Sequence, residues 1–287
     1  MISTEALAEA VHRLRTAGCV FAEDEAEVLR KAAEERAGGT NDKAARQGTG
    51  ETQRPQRTQG TQGADDDATL RALVSRRVTG EPLEQVVGWA DFGGVRVRLS
   101  PGVFVPRVRS ELLVNLAAKE AGSGCVVVDL CCGSGALGLA LRHRRPDVTL
   151  YAADLDSRAV ECARLNLNGG VFQGDLFEAL PDDLRGRVGL LLANVPYVAT
   201  RHIPFLPAEA RDHEPHAALD GGDDGLAVFR RVVAGAPHWL ARGGVLLSEI
   251  TEAQTAPAVA AATGHGLTTT VLTEDDLDAR AISARFH

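Results

Sequence analysis

The period of the apolar positions changes along the chain, and the changes divide it. Over residues 3–37 they recur at helical spacing, with Leu7, Val11 and Leu14 in a first segment and Ala22, Ala26, Leu29 and Ala33 in a second. Two helices broken at Gly18 are predicted. From Gly38 to Asp67 apolar side chains nearly vanish from a run of Gly, Thr, Gln, Asp and Arg. Such a tract buries too little surface to offset ordering entropy, so 38–67 is expected to be a disordered insertion. A third helix is expected over about Ala68–Val78. Alternation at Val95, Val97 and Leu99 then predicts a hairpin strand, and Pro101-Gly102 a turn.

From Cys125 onward the pattern is different. The runs CVVVDL, VTLYAAD, VGLLLAN and GVLLSEI are followed by helical patterns over 135–144, 157–167, 222–240 and 252–263. Continuous apolar strands alternating with helices predict a parallel sheet covered on both faces. The stretch TTTVLTEDDLDARAISARF reads as two further strands around a polar turn. The expected fold class is therefore α/β, with a Rossmann-like sheet. A small helical domain would occupy 1–79, a connector hairpin 80–110 and the sheet domain 111–287.

Composition and charge narrow the chemistry. A hydrophobic fraction of 44% and a charged fraction of 24% are ordinary for a globular enzyme. No apolar run approaches the roughly 18 residues of a membrane span, and the first residues lack a leader pattern. A cytoplasmic protein without a membrane partner is expected. A net charge of −8 argues against a broad electrostatic grip on nucleic acid. The five cysteines include no CxxC pair, and Cys131 and Cys132 are adjacent, so no metal site is expected.

Two motifs carry chemistry. In VVVDLCCGSGALGLAL, Val126 to Leu141, a buried strand leads through a small-residue loop into a helix. Glycines there let the backbone approach a ligand, and the helix N-terminus offers free amides, although a tight turn needs glycine for structural reasons too. Asp154 ends the next strand, 25 residues after Asp129, where an acid can accept from ribose hydroxyls. Its structural alternative is a helix N-cap, for which Asp156 is better placed. No phosphate-gripping GKS or GKT sequence is present, so a nucleoside such as S-adenosyl-L-methionine fits better than ATP. In the second motif, GLLLANVPYV, an Asn, a Pro and a Tyr lie at the end of the fourth core strand, where open α/β sheets bind ligands. Asn194 and Val195 offer carbonyl acceptors that can hold an NH2 group, and Tyr197 offers a face for a planar substrate. A plain Asn-to-Pro turn leaving the strand is the alternative.

Together these segments resemble the HemK/PrmC family, the protein-(glutamine-N5) methyltransferases of peptide chain release factors. The resemblance runs from about Glu81 to Ile250. EPLEQVVGWADFGG and FVPRVRSE are similar to the family's connector and its Ile-Pro-Arg-Pro-Glu-Thr-Glu signature. Asp129 to Gly135 match the cofactor loop, Asp154 the ribose acid and GDLF, Gly174 to Phe177, the adenine side. Asn194 to Tyr197 match Asn-Pro-Pro-Tyr, and EPHAALDGG, Glu214 to Gly222, a further family segment.

The resemblance implies a class I S-adenosylmethionine-dependent methyltransferase. Its cofactor residues would be Asp129, Cys131, Cys132, Gly133, Ser134, Gly135, Asp154, Asp175, Leu176 and Asn194. Its catalytic residues would be Asn194, Val195, Pro196 and Tyr197. Phe104, Pro106 and Glu111 either line the substrate pocket or pack the connector. The implied partner is a release factor or another glutamine-bearing protein, received by the helical domain, with nucleic acid involved only indirectly. Three departures from the family matter: Cys131 for the first loop glycine, Val195 for the first proline, and the low-complexity tract within the helical part. The rival readings are a paralogue acting on a small molecule or another protein, a nucleic-acid amino methyltransferase, and a non-catalytic cofactor-binding module.

Overall fold

The computed structural model describes residues 1–44 and 59–287, with side chains outside 37–62. It divides into two compact units, Met1–Val87 and Gly88–His287. The boundary falls within the expected connector, so its hairpin belongs to the second unit.

The first unit is helical: α1 (Thr4–Thr16), α2 (Ala22–Ala44), α3 (Gln59–Arg77) and the short α4 (Leu83–Val87). Ser3 caps α1 by accepting from the Ala6 amide (3.2 Å), and Gly18 leaves it at φ +90°, as glycine does beyond a helix C-terminus. Ala6, Ala10 and Leu14 pack inward from α1, Ala22, Ala26, Leu29 and Ala33 from α2, and Leu70, Leu73 and Val74 from α3. The Arg77 Nε donates to Glu25 Oε2 (2.7 Å), tying α3 to α2. The expectation of disorder over 38–67 is corrected at both ends. Residues through Ala44 continue α2, and α3 begins at Gln59, because a helix closes on local backbone bonds and does not need apolar side chains at every turn. Residues 45–58 of that tract lie outside the described residues.

The second unit opens with a hairpin of β1 (Trp89–Phe92) and β2 (Val95–Arg98). Gly93 and Gly94 both take positive φ at its tip, the requirement of a two-residue turn between twisted strands. There follow α5 (Glu111–Glu120), β3 (Val126–Leu130), α6 (Ala136–Arg144), β4 (Thr149–Asp154), α7 (Ser157–Asn166), β5 (Val171–Gln173) and β6 (Val188–Ala193). The chain continues through α8 (Ala208–His213), α9 (His216–Leu219), α10 (Ala227–Trp239), β7 (Leu240–Glu249), α11 (Thr255–Gly264), β8 (Leu267–Glu274) and β9 (Ala279–Phe286). The sheet order is β5-β4-β3-β6-β7-β9-β8. β5 through β7 pair in parallel, while β9 runs antiparallel between β7 and β8. This is the α/β class I methyltransferase sheet. The expected helix over 222–240 starts only at Ala227, because Gly222 and Gly225 form a turn before it.

Strand side chains alternate between two cores, as both-face burial requires. Val128, Leu130, Leu191, Ala193 and Leu246 meet α10 and α11 on one face. Val127, Leu190, Leu192, Val245 and Leu247 meet α5 and α6 on the other. Strand order reverses at β3, whose neighbours are β4 and β6, so the carboxyl ends of β3 and β6 form the crevice where such sheets take ligands.

Candidate active site

Register brings the two motifs together. Leu130 pairs with Ala193, so the loop 131–135 and the segment 194–197 leave the sheet side by side. Leu192 pairs with Leu247 on the other flank, which sets Glu249, the last residue of β7, at the level of Asn194.

The loop after β3 is a left-handed turn. Cys131, Gly133 and Gly135 have φ of +55°, +55° and +77°. A Cβ on Gly133 would meet nothing within 4 Å, whereas one on Gly135 would lie 2.9 Å from Leu167. Gly133 thus fronts open space and Gly135 seats the start of α6 against α7. The Gly133 amide donates to Asp154 Oδ2 (2.8 Å) and the Asp156 amide to Asp154 Oδ1 (3.0 Å). Asp156, not Asp154, caps α7 by accepting from the Arg158 amide (2.9 Å). Burial holds the Asp154 carboxyl above the usual range, against the opposing pull of these amides.

Asp129 is fully buried. Its Oδ2 accepts from the Gly138 amide (3.1 Å), while Oδ1 has no donor among the described residues. Burial, reinforced by the charge of Asp154, pushes its pKa up to about 7. The thiols of Cys131 and Cys132 are pushed far up by burial and by the same acids. They are neutral packing groups, not nucleophiles. Asp175 accepts from Arg231 (2.8 Å), and the buried Leu176 beside it has φ +49°.

Around Asn194 lies a network that the motif alone does not disclose. Asn194 Nδ2 donates to Ser110 Oγ (3.1 Å), and Ser110 Oγ donates to Glu249 Oε2 (2.6 Å). The Tyr197 hydroxyl donates to Glu249 Oε1 (2.8 Å), as does Arg109 Nε (2.8 Å). Arg109 also donates to the Tyr197 hydroxyl and lies over its ring, 5.7 Å from the centroid. Burial first, and the Glu249 charge second, raise the Tyr197 phenol well above its ordinary value, so it stays protonated. The remaining oxygen of the asparagine, Oδ1, is buried with no donor among the described residues. Val195 is buried, and among those residues no donor reaches its carbonyl.

Two glycines hold this segment in place. A Cβ on Gly221 would fall 2.6 Å from the Pro196 carbonyl oxygen, and one on Gly225 still closer to that of Tyr197. Gln254 Nε2 donates to the same Tyr197 carbonyl (2.8 Å).

Of the connector residues, Phe104 carries Arg107 over its ring at 4.9 Å. Arg107 pairs with the buried Glu214 (2.6 Å), which also accepts from the Val105 amide (3.2 Å). Pro106 lies between, half-buried. Glu111 accepts from the Gly93 amide (3.0 Å), so its side chain serves the hairpin and not the asparagine. Ser110, Arg109 and Glu249 are the site residues that sequence reasoning missed. Nothing in their spacing signals them, because they lie 52 to 140 residues from their partners along the chain. Among the described residues no cluster suited to a metal ion occurs.

Residues 94–205 match the methyltransferase small domain family. The chain is 38% identical to a release factor glutamine methyltransferase of Streptomyces coelicolor, over 67% of this chain and 70% of that protein. It is 39% identical to one of Mycolicibacterium smegmatis, over 74% and 77%. The chain belongs to the release factor glutamine methyltransferase family. It is an enzyme of the S-adenosyl-L-methionine-dependent class. A 4-amino-L-phenylalanine/4-methylamino-L-phenylalanine methyltransferase of Streptomyces pristinaespiralis is 37% identical over 67% of this chain and 69% of that protein. This chain is thus also similar to an enzyme whose name carries small aromatic amines.

Proposed function

We propose that this chain methylates the side-chain amide nitrogen of a glutamine in a peptide chain release factor. The observation that carries the reading is the Asn194 Oδ1, a buried acceptor kept without a donor at the end of β6. A buried, unpaired acceptor costs about 1–3 kcal/mol, a cost that a substrate N–H would cancel. With the Val195 carbonyl beside it, the site offers two acceptors for one NH2 group.

The cofactor loop fits S-adenosyl-L-methionine. Asp129 keeps a buried oxygen without a donor, suited to a cationic ammonium group. Gly133 leaves open the space that a side chain would fill, and Asp154 spends one bond on each oxygen, leaving lone pairs for ribose hydroxyls. Asp129, residues 131–135, Asp154, Asp175 and Leu176 would hold the cofactor, which when bound supplies an electrophilic methyl on sulfonium sulfur. The chain's own task is to aim a poorly nucleophilic nitrogen. Asn194 and Val195 hold its N–H bonds, and as positive charge grows on that nitrogen these acceptors bind it more strongly, which is differential stabilisation of the transition state. Tyr197 packs its face beside the planar group. No carboxylate base is required, since the nitrogen's proton can leave to water after the methyl has moved and the sulfonium has become a neutral thioether. The helical unit, Met1–Val87, would receive the protein substrate.

A second reading, a small aromatic amine as acceptor, is favoured by Arg109. It stands where the family signature has glutamate and lies against Tyr197. Incubation with methyl-labelled cofactor and either an unmethylated release factor or 4-amino-L-phenylalanine separates the two. Label on a release-factor glutamine supports the first reading, and label on the amine alone replaces it with the second.

A further inference from the structure

We infer that Ser110 and Glu249 are positioning residues that set which way the Asn194 amide faces, an inference that rests on the aiming role proposed for Asn194. The argument is one of proton counting. A hydroxyl has a single proton to donate, and an ionised carboxylate can only accept. Glu249 is ion-paired with Arg109 (2.8 Å) and buried, and its Oε2 takes the Ser110 proton (2.6 Å). Ser110 then has only lone pairs to offer Asn194, so the amide must turn its NH2 toward Ser110 (3.1 Å) and its oxygen away. The orientation that leaves Oδ1 free for a substrate N–H therefore follows from a carboxylate two bonds removed. Arg109 and Tyr197 occupy the other carboxylate oxygen, which holds Glu249 from turning. Without Glu249's negative charge, Ser110 is free to donate to Asn194, and the amide loses its reason to present oxygen.

The test is a double-mutant cycle, with the acceptor that takes the label in the experiment above. Ser110→Ala and Glu249→Gln should each lower kcat about tenfold to 10²-fold, the scale of a misplaced reacting group, with little change in cofactor affinity by calorimetry. Ser110→Thr, which keeps the hydroxyl and restores the residue of the family signature, should keep most of the rate. In an Asn194→Ala background, Ser110→Ala should cost almost nothing more, because its contact with the reaction runs through Asn194, and Glu249→Gln should cost less than it does alone, keeping only the part that passes through Tyr197. Losses that multiply in the double variants would overturn the inference while leaving the Asn194 reading standing. Full activity of Asn194→Ala alone would overturn that reading, and this inference with it. A readout free of any acceptor is hydrogen exchange of the Asn194 side-chain amide protons in 15N-labelled protein. Exchange should quicken in Ser110→Ala and stay slow in Ser110→Thr, and equal rates in wild type and Ser110→Ala would also refute the inference.

Discussion

Asp129 and Cys131 sit two residues apart, one before and one at the start of the cofactor loop, and each breaks a local rule in a way that can be measured. Asp129 is a buried acid with a pKa near 7, above that of an unfolded aspartate near 3.9. The folded protein therefore holds a proton between about pH 4 and pH 7 that the unfolded chain has lost. Stability without cofactor should fall as pH rises through that window, by at most about 1.4 kcal/mol per unit, and level off above it. Asp154, also raised, adds a slope of the same sign. Binding runs the other way, since a cationic ligand group needs the ionised form. Affinity for S-adenosylhomocysteine should rise up to about tenfold from pH 6 to pH 8, and Asp129→Asn should flatten that rise. Calorimetry at the two pH values checks it, and an unchanged rise in the variant would remove Asp129 from the ligand's charge balance. Cys131 holds φ +55°, a region where a Cβ costs about 1–2 kcal/mol. Cys131→Gly relieves that strain but loses a packed thiol and gains about 0.5–1 kcal/mol of unfolded-chain entropy, so the net change should stay within about 1 kcal/mol. Cys131→Val, β-branched at positive φ, should lose about 1–3 kcal/mol. Equal urea midpoints for the valine variant and wild type would contradict the left-handed turn.

At the scale of elements, the segment 194–197 is pressed on by the glycine-rich turn before α10. Gly225 and Gly243 have nearly the same φ, +77° and +82°, but a Cβ on Gly225 would collide with the Tyr197 carbonyl and Gln254, whereas one on Gly243 would meet nothing within 4 Å. Alanine at either site carries the same backbone strain, so the difference between the variants isolates the collision. Gly225→Ala should be less stable than Gly243→Ala by about 1–3 kcal/mol, the cost of overpacking, and should also lower kcat by shifting Tyr197. Matching denaturation midpoints would show that the turn does not press on the segment. None of this contact was readable from the chain, whereas the elements themselves largely were. CVVVDL and VGLLLAN announce buried strands because both faces are covered, and Asn194 and Tyr197 stand out because their motif is contiguous. Ser110 and Glu249 do not, because tertiary packing, not sequence spacing, sets them beside Asn194: β-sheet register places Glu249, and the start of α5 places Ser110. The tract at 38–67 misled in the opposite sense. Scarcity of apolar residues speaks to burial, but α2 and α3 run into it on local hydrogen bonds, with Asp66 buried and ion-paired to the amino group of Met1.

For the molecule as a whole, the division at Val87 leaves the whole Asn194 network in one unit. Every residue of the cofactor loop and of the Asn194 network lies between Arg109 and Glu249, within the second unit. That unit owns a seven-stranded sheet and two large cores, one on each sheet face, whose residues all come from its own elements. Its roughly 200 residues are in the size range where one domain buries enough surface to fold. A fragment spanning 88–287 should therefore fold cooperatively and bind S-adenosylhomocysteine with an affinity within about threefold of the full chain, less than 1 kcal/mol in binding energy. If the helical unit serves to receive a protein substrate, the fragment should lose methylation of a release factor by far more than it loses cofactor affinity, while any transfer to a free aromatic amine would survive. Far-ultraviolet circular dichroism, calorimetry and the labelled transfer assay on fragment and full chain measure the three quantities. A fragment that folds and binds cofactor yet methylates the release factor as fast as the full chain would strip the helical unit of its recognition role. A fragment that fails to fold would show instead that the first unit supplies stability that the two cores of the second lack.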